Sequence, residues 1–257
     1  MSESRYILIT NDDGVHSPGL LALKRALSPL AEVMVFAPDH NWSAAGHTKT
    51  MHKPLRVFET RLADGTPALV TNGTPSDCVG LALLGLVPRR PDLVISGIND
   101  GPNLGADVTY SGTVAGAMEA VVTGIPAIAV SQDWGEERDL DAAAELAARL
   151  ARQVLERGLP PNVLLNLNVP GLPRHQIKGL RATRLGQRVY RDVLIERRDP
   201  RGQPYYWIGG EPPTGIPDPN GETDIGAMAL GYASVTPLSM DLTDYQFLSE
   251  LKTWDLG

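Results

Sequence analysis

The chain has 257 residues, which is long enough for one large α/β domain or two small ones with a substantial core. Its 23 basic and 30 acidic residues give a formal charge of −7, which does not favour duplex nucleic acid or an anionic membrane as a partner. The single cysteine, Cys78, excludes an intramolecular disulfide and a thiolate-rich metal cluster, as in a reducing compartment. The N-terminus does not resemble a signal peptide and no apolar run is long enough to span a membrane, so we expect a cytoplasmic protein.

The most informative stretch is an apolar run, Tyr6–Ile9, that is followed by Asn11, Asp12, Asp13 and Gly14. The run is short and has no polar alternation, which is typical of a parallel strand covered on both faces. Two adjacent carboxylates at the carboxyl end of such a strand repel each other, which favours a cation beside them at the edge where open α/β sheets bind ligands. From this stretch alone, a metal site and an ordinary turn that caps the next helix are equally good interpretations.

The rest of the chain predicts alternating strands and helices. A strand, a helix and a strand within the first forty residues form a βαβ unit, which implies a parallel sheet with right-handed crossovers. Polar loops follow the strands, so further functional side chains are expected at the same edge of the sheet. In chain order we predict strand 6–9, helix 20–30, strands 31–37, 55–59 and 68–71, helix 75–86 with Thr74 as its N-cap, strand 92–96, loop 97–105, helix 114–123, strand 125–131, helix 140–158 and strand 163–168.

The composition changes from about residue 171. Charged, β-branched and aromatic segments followed by a Pro- and Gly-rich stretch predict a β-hairpin extension at about 175–224. A strand at 231–238 then returns to the core, and a C-terminal arm at 238–257 carries a helix at 245–254. We therefore expect one domain over 1–257, with a core of about 1–170 plus 225–240. Arms of this kind often pack on another subunit, so we expect a homo-oligomer.

Four predicted strand ends carry oxygen-bearing side chains: Asp12 with Asp13, then Ser43, then Asn99, and finally Ser111-Gly112-Thr113. Hard oxygen ligands select Mg²⁺, Mn²⁺ or Ca²⁺ over zinc and copper. The hydroxyls and free N–H groups of 111–113 open a helix and suit a phosphate group, although a simple N-cap is the favoured interpretation of these three residues alone.

Taken together, these motifs resemble the SurE family, the survival-protein-E 5′/3′-nucleotidases. They run in the family's order over nearly the whole chain, so the set is far more specific than any one of its members. One departure is the segment after Asp39, His-Asn-Trp-Ser-Ala-Ala, where many members have a basic residue before the Ser and a Gly after it. The matching segments are 11–14 with 18–19, 37–39 with Ser43, 73–79, 96–105, 110–115, 223–224 and 231–238.

The resemblance implies a Rossmann-like, mostly parallel sheet with helices on both faces and a C-terminal β-hairpin extension. It also implies one divalent cation per subunit, Mg²⁺ or Mn²⁺, or Ca²⁺ in a crystal, held by Asp12, Asp13, Ser43 and Asn99. The implied activity is hydrolysis of nucleoside 5′-monophosphates, and of 3′-monophosphates, to nucleoside and phosphate. The implied assembly is a dimer or tetramer built by exchange of the C-terminal arm.

The expected chemistry is attack of a metal-activated water on phosphorus, with Asp12, Asp13 and Asn99 as catalytic residues. The alternative is a protein that binds nucleotides without hydrolysing them. A receiver domain, a haloacid-dehalogenase-type phosphatase and a dinucleotide-binding module each require a motif that is missing at the corresponding strand end. The residues expected to contact phosphate are Asn11, Ser111, Gly112, Thr113 and Asn103.

Several side chains keep two interpretations. The five histidines show no paired zinc-ligand spacing, although His16 and His47 lie in loops of the predicted site edge. The aromatic residues Trp42, Tyr110 and Trp134 suit either stacking on a nucleotide base or local packing.

Overall fold

The computed structural model describes residues 4–256. Within this range, the chain forms a sheet-centred α/β structure whose elements follow the predicted order. In chain order they are β1 Tyr6–Thr10, α1 Pro18–Leu27, β2 Glu32–Pro38, β3 Val57–Arg61, β4 Pro67–Thr71, α2 Pro75–Leu81, β5 Leu93–Asp100, α3 Gly112–Val122, β6 Ala127–Gln132, α4 Leu140–Arg157, β7 Val163–Val169, β8 Leu180–Ala182, β9 Arg188–Arg198, β10 Pro204–Gly215, α5 Asp224–Ala229, β11 Ala233–Ser239 and α6 Tyr245–Leu251.

Nine strands form the central sheet in the order β3-β4-β2-β1-β5-β6-β7-β11-β8. The pairs from β4 through β7 are parallel, whereas β3 runs antiparallel to β4 and β11 runs antiparallel to β7. The predicted mostly parallel sheet is therefore confirmed. The two antiparallel pairs were not specified by the sequence patterns.

Helices cover both faces of the sheet, as predicted. On one face, apolar residues of α1 and α4, such as Leu23 and Ala147, pack on Ile7 and Ile9 of β1. On the other face, Val79 of α2 and Ala117 of α3 belong to the cluster that contains Leu8. All five residues of β1 are buried, which explains why its sequence shows no polar alternation.

The path of the chain creates a crevice at the carboxyl end of β1. The chain passes from β1 to β2 on one side and later returns to β5 on the other side of β1. Connections that leave in opposite directions open a crevice at the carboxyl ends of the strands, which is where open α/β sheets bind their ligands. The crevice lies directly beyond Asp12 and Asp13.

Some element boundaries differ from the predictions. α1 begins at Pro18 and ends at Leu27, earlier than predicted at both ends. β5 continues to Asp100, so residues 97–100 extend a strand instead of opening a loop, and the pairing with β6 shifts register between Ser96 and Asn99. Helix α5 was not predicted at all. The regular part of α2 stops at Leu81, and a wider helical turn continues to Leu86.

An antiparallel hairpin of β9 and β10 forms a separate sheet of two strands, within the predicted extension at 175–224. Its base is closed by backbone hydrogen bonds: the Arg184 N–H donates to the Glu222 carbonyl at 3.0 Å, and the Asp224 N–H donates to the Arg184 carbonyl at 2.9 Å. The two points where the hairpin leaves and rejoins the core are therefore adjacent.

Candidate active site at the end of the first strand

Asp12 is a buried carboxylate at the carboxyl end of β1, with 3% of its surface exposed. The Thr113 hydroxyl, in the first turn of α3, donates a hydrogen bond to its Oδ1. Gly112 lets the helix come this close, because a Cβ there would lie 2.9 Å from Asp12 Oδ2. The Asp12 carbonyl accepts a 2.8 Å hydrogen bond from the Trp42 N–H, which ties the loop after β2 to the same point.

Asp13 is partly buried and faces the other neighbouring strand. Its Oδ2 accepts a 3.1 Å hydrogen bond from the N–H of Asp100, at the end of β5, and its Oδ1 accepts a 3.2 Å hydrogen bond from Asn41 Nδ2. The two adjacent aspartates are thus oriented by different elements, Asp12 by α3 and Asp13 by β5 and the loop after β2.

Neither of the two carboxylates is directly paired with a cationic side chain within residues 4–256. Burial, together with the charge of Asp13, raises the pKa of Asp12 to about 6 despite the hydrogen bond from Thr113. Burial and the charge of Asp100 raise the pKa of Asp13, against the opposing Asp100 N–H and Arg138. None of the ion pairs among residues 4–256 includes Asp12 or Asp13. Because a bound cation would stabilise both ionised carboxylates, this donor set fits a divalent metal.

Further metal ligands have to come from neutral oxygen groups. Among the described residues, no group of three or more His, Cys, Asp or Glu side chains is arranged to hold a metal. The amide of Asn99 donates its Nδ2 to the Gly101 carbonyl at 2.7 Å, which leaves its oxygen as the acceptor at the end of β5. Ser43 is exposed, its N–H donates to Asn41 Oδ1 at 2.7 Å, and it follows Trp42, whose N–H binds Asp12.

The residues at the start of α3 have structural partners. Ser111 Oγ accepts a 3.1 Å hydrogen bond from the Val114 N–H, so the predicted N-cap is confirmed. Thr113 is engaged with Asp12. Asn11 closes the turn after β1 through two hydrogen bonds with Gly14, at 3.0 and 3.2 Å. Contact of these side chains with a phosphate group stays a prediction.

Asn103 lies in a buried polar network, and none of its hydrogen bonds to described residues reaches Asp12 or Asp13. Its Nδ2 donates to Ser131 Oγ at 2.8 Å, and its N–H donates to Asn168 Oδ1 at 2.7 Å. Its carbonyl accepts hydrogen bonds from the amides of Asn166 and Asn168, at 2.9 and 3.1 Å. These contacts fix the loop after β5. The alternation of Asn166 and Asn168 along β7, which puts both side chains on one face, was a signal that the sequence interpretation missed.

Residues that line a cavity at the site were also missed in the sequence analysis. A cavity of about 180 Å³ opens beside Asp13, lined by Asn41, Asp100 and Arg138 among others, and Arg138 forms an ion pair with Asp100.

Asp224 is fully buried and accepts hydrogen bonds from the N–H groups of Gly105, Gly186 and Ile225, at 2.8, 2.7 and 2.8 Å. It therefore joins the loop after β5 to the base of the hairpin. Thr223-Asp224 entered the sequence analysis only as one of the matching family motifs, and no role was predicted for Asp224.

The histidines of the site edge differ in their surroundings. His16 is exposed. His47 Nε2 lies 3.0 Å from Oε2 of Glu119 on α3, and Lys49 Nζ lies 2.8 Å from the other oxygen of that carboxylate. His47 thus takes part in an ion-pair cluster that attaches the loop after β2 to α3.

A family model described as "Survival protein SurE" matches residues 7–192. The chain belongs to the SurE family. Curated SurE relatives named "5′-nucleotidase SurE" come from Chloroflexus aggregans, 55% identical over 97% of this chain and 99% of that protein, and from Herpetosiphon aurantiacus, 55% identical over 96% and 97%. The crystal structure of the SurE protein from Aquifex aeolicus matches with a TM-score of 0.79 and 41% identity, over 96% of this chain and 98% of that one. The family resemblance deduced from the motifs is confirmed.

Among residues 4–256, no helix is both long and apolar enough to cross a membrane.

Proposed function

We propose that the chain is a metal-dependent 5′-nucleotidase, which hydrolyses nucleoside 5′-monophosphates, and also 3′-monophosphates, to nucleoside and phosphate. The observation that carries this proposal is the pair of carboxylates, Asp12 and Asp13, which lie at the crevice of the sheet and form no ion pair with any described residue. It is supported by membership of the SurE family and by 55% identity to relatives named 5′-nucleotidases. The same names argue against a nucleotide-binding protein without activity.

The metal ligands in this proposal are Asp12, Asp13, Ser43 and Asn99, and the ion is Mg²⁺ or Mn²⁺, one per subunit. Asp12 and Asp13 follow β1, Ser43 follows β2 and Asn99 is the penultimate residue of β5, so all four lie at the same edge of the sheet. All four offer oxygen donors, which these hard cations prefer. When bound, such an ion would neutralise phosphate charge and lower the pKa of a water molecule.

The remaining tasks fall to side chains and backbone of this chain. Asp12 or Asp13 takes up a proton from the attacking water, because these are the carboxylates at the end of β1. The first turn of α3, at Gly112 and Thr113, presents backbone N–H groups and the positive end of the helix dipole to the phosphate oxygens. Asn11, Ser111 and Asn103 keep the loops around that phosphate in place and are proposed as its further contacts.

The deciding experiment measures phosphate release from AMP and GMP in EDTA, Mg²⁺ and Mn²⁺, with wild type beside Asp13→Asn. Asp192→Asn, a change of the same type on the exposed hairpin, is the matched control. We expect metal-dependent release that Asp13→Asn abolishes and Asp192→Asn preserves. AMP binding without release under any metal would contradict the enzymatic function and favour the non-catalytic alternative.

We further propose that residues 1–257 act as one domain in the cytoplasm and assemble into a dimer or tetramer through the C-terminal arm. The end of the arm is largely open to solvent: no residue of α6 is buried, and Leu242 is 92% exposed. Light scattering tests this, since Leu242→Lys together with Trp254→Lys should yield monomers. An unchanged mass would contradict assembly through the arm.

A further inference from the structure

The end of β6 and the start of the loop after it, residues 132–134, are held from two sides. The Gln132 carbonyl accepts a 2.9 Å hydrogen bond from the Gly101 N–H, and the Asp133 N–H donates to the Val169 carbonyl at 2.9 Å. Gly171 packs so closely on this loop that a Cβ there would lie 2.8 Å from the Asp133 carbonyl oxygen. The backbone that carries Trp134 is therefore held rigidly beside the end of β5.

The indole of Trp134 rests on Gly101 yet is largely open to solvent. A Cβ at Gly101 would lie 2.5 Å from its Cζ2, while 65% of the residue's surface is exposed. Gly101 is two residues beyond Asn99, whose amide binds the Gly101 carbonyl at 2.7 Å. A large apolar ring thus stands in water at the rim of the proposed metal site. The ring is therefore available to a flat ligand that enters the crevice beside Asn99.

The other aromatic candidates have different surroundings. Trp42 is partly buried, its indole N–H is enclosed, and its ring lies 4.8 Å from that of His40, which is local packing. Tyr110 is 64% exposed and precedes Ser111, and its carbonyl accepts a hydrogen bond from the Gly46 N–H. Of the three aromatic residues named in the sequence analysis, Tyr110 is therefore the alternative to Trp134 for stacking on a nucleotide base.

We propose that Trp134 is the platform on which the base of the nucleotide stacks, an assignment that rests on the proposed nucleotidase function. Every base has a π face, so stacking on an indole secures the nucleoside without reading the hydrogen-bonding edge of the base. The platform would bind purine nucleotides more tightly than pyrimidine nucleotides, because a purine covers more of the ring. Trp134 is a specificity residue in this proposal and takes no part in the chemical step.

The test compares AMP with ribose 5-phosphate, which carries the same phosphoryl group but no base. Trp134→Ala should raise KM for AMP about tenfold, leave kcat unchanged and leave the kinetics on ribose 5-phosphate unchanged. Trp134→Phe, which keeps a ring, should recover most of the affinity. Trp207→Ala is the matched control, because Trp207 is similarly exposed, at 63%, but lies on the hairpin strand β10.

Equal losses on AMP and ribose 5-phosphate would overturn the proposal, because they would indicate a general disturbance of the site. An unchanged KM in Trp134→Ala, with a raised KM in Tyr110→Ala, would overturn it in favour of Tyr110. Tryptophan fluorescence with AMP supplies a readout without turnover: AMP should quench wild type and Trp207→Phe, and the quench should vanish in Trp134→Phe. A quench of this kind without phosphate release would refute the nucleotidase function and still support the platform.

Discussion

Asp12, held by Thr113 at the start of α3, and Glu119, further along the same helix, are both buried carboxylates, yet their partners differ. Glu119 has 2% of its side chain exposed and is paired with His47 and Lys49. Burial raises its pKa, but the hydrogen bonds from His47 and Lys49 outweigh burial and keep the pKa below its ordinary value. Asp12 has no such cations, and its pKa is raised.

The difference separates a structural carboxylate from one that is suited to bind a ligand. The charge of Glu119 is compensated within the chain, and the compensation attaches the loop that carries Ser43 to α3. The charges of Asp12 and Asp13 are left for a cation from outside the chain. A buried carboxylate therefore indicates a metal site only when its surroundings supply no cation, and the sequence alone does not reveal this.

The largest effect is expected from Asp12→Asn, which removes the charge and keeps an acceptor for Thr113. Phosphate release should fall by about 10³-fold or more, because the metal loses a charged ligand. In EDTA, the same variant should unfold at a higher temperature than wild type, since an uncompensated buried charge is gone. Full activity, or a metal-induced rise in Tm equal to that of wild type, would contradict the role given to Asp12.

Metal-free wild type should lose stability as the pH rises from about 4 to about 6. The folded pKa of Asp12, about 6, lies above the unfolded value of 3.8, so the folded state keeps a proton that the unfolded state releases in this range. The free energy of unfolding should fall by about 3 kcal/mol relative to Asp12→Asn, most of it between these two pKa values. Urea unfolding in EDTA measures it, and Mn²⁺ at pH 7 should restore the loss. An identical pH profile for both proteins would contradict the raised pKa.

Glu119→Gln should lower the stability of the protein at neutral pH, whereas Asp12→Asn should raise the stability of the metal-free protein. The folded pKa of Glu119 is lowered, so its contribution is present above the unfolded value of 4.5 and is lost as the pH falls through the folded pKa. We expect a loss of about 2 kcal/mol at pH 7, because His47 and Lys49 lose an ionised partner in a buried position. The control is Glu145→Gln, which breaks an exposed ion pair with Arg174 and should cost far less. Equal losses of stability in Glu119→Gln and Glu145→Gln would contradict a structural role for the buried Glu119 ion pairs.

The smallest effect is expected from Ser43→Ala. Its hydroxyl is a neutral ligand, so its removal should weaken Mn²⁺ binding by about threefold to tenfold, or about 1 kcal/mol. Calorimetric titration with Mn²⁺ measures this without any substrate. Ser249→Ala, an equally small change on the exposed helix α6, is the control. Unchanged affinity would remove Ser43 from the ligand set.

Most of the fold was predictable because β1, β5 and β6 are buried on both faces, and their sequences are apolar runs without polar alternation. Thr74 as N-cap with Pro75 at the first helical position also marked the start of α2 correctly, and the structure adds a capping box between Thr74 and Asp77. The family motifs then identified the strand ends that carry the site. The end of β5 was misplaced because Gly97 and Asn99 are typical of loops, whereas pairing with β6 extends the strand to Asp100.

The remaining features depend on tertiary contacts that no local pattern encodes. Asn103 binds Ser131 and Asn168, which lie far away in the chain, and its predicted contact with phosphate stays a prediction. Asp224 looked like an ordinary polar residue, although two distant segments, at Gly105 and Gly186, converge on its carboxylate. Likewise, nothing near Glu119 in the sequence shows that His47 and Lys49 face it.

The closed base of the β9–β10 hairpin separates the far end of the hairpin from the core, so that end can be changed independently. The chain leaves and rejoins the core at Arg184 and Glu222, which are hydrogen-bonded neighbours in space. Changes at the far turn therefore do not have to move Asp224 or the loop after β5 that Asp224 holds. That turn is a tight one, closed by a 2.9 Å hydrogen bond from the Gly202 N–H to the Asp199 carbonyl. Lengthening it should cost only loop-closure entropy, about 0.6 kcal/mol per doubling. A peptide tag or an entire binding module could therefore be inserted after Arg201 while the catalytic edge keeps its geometry.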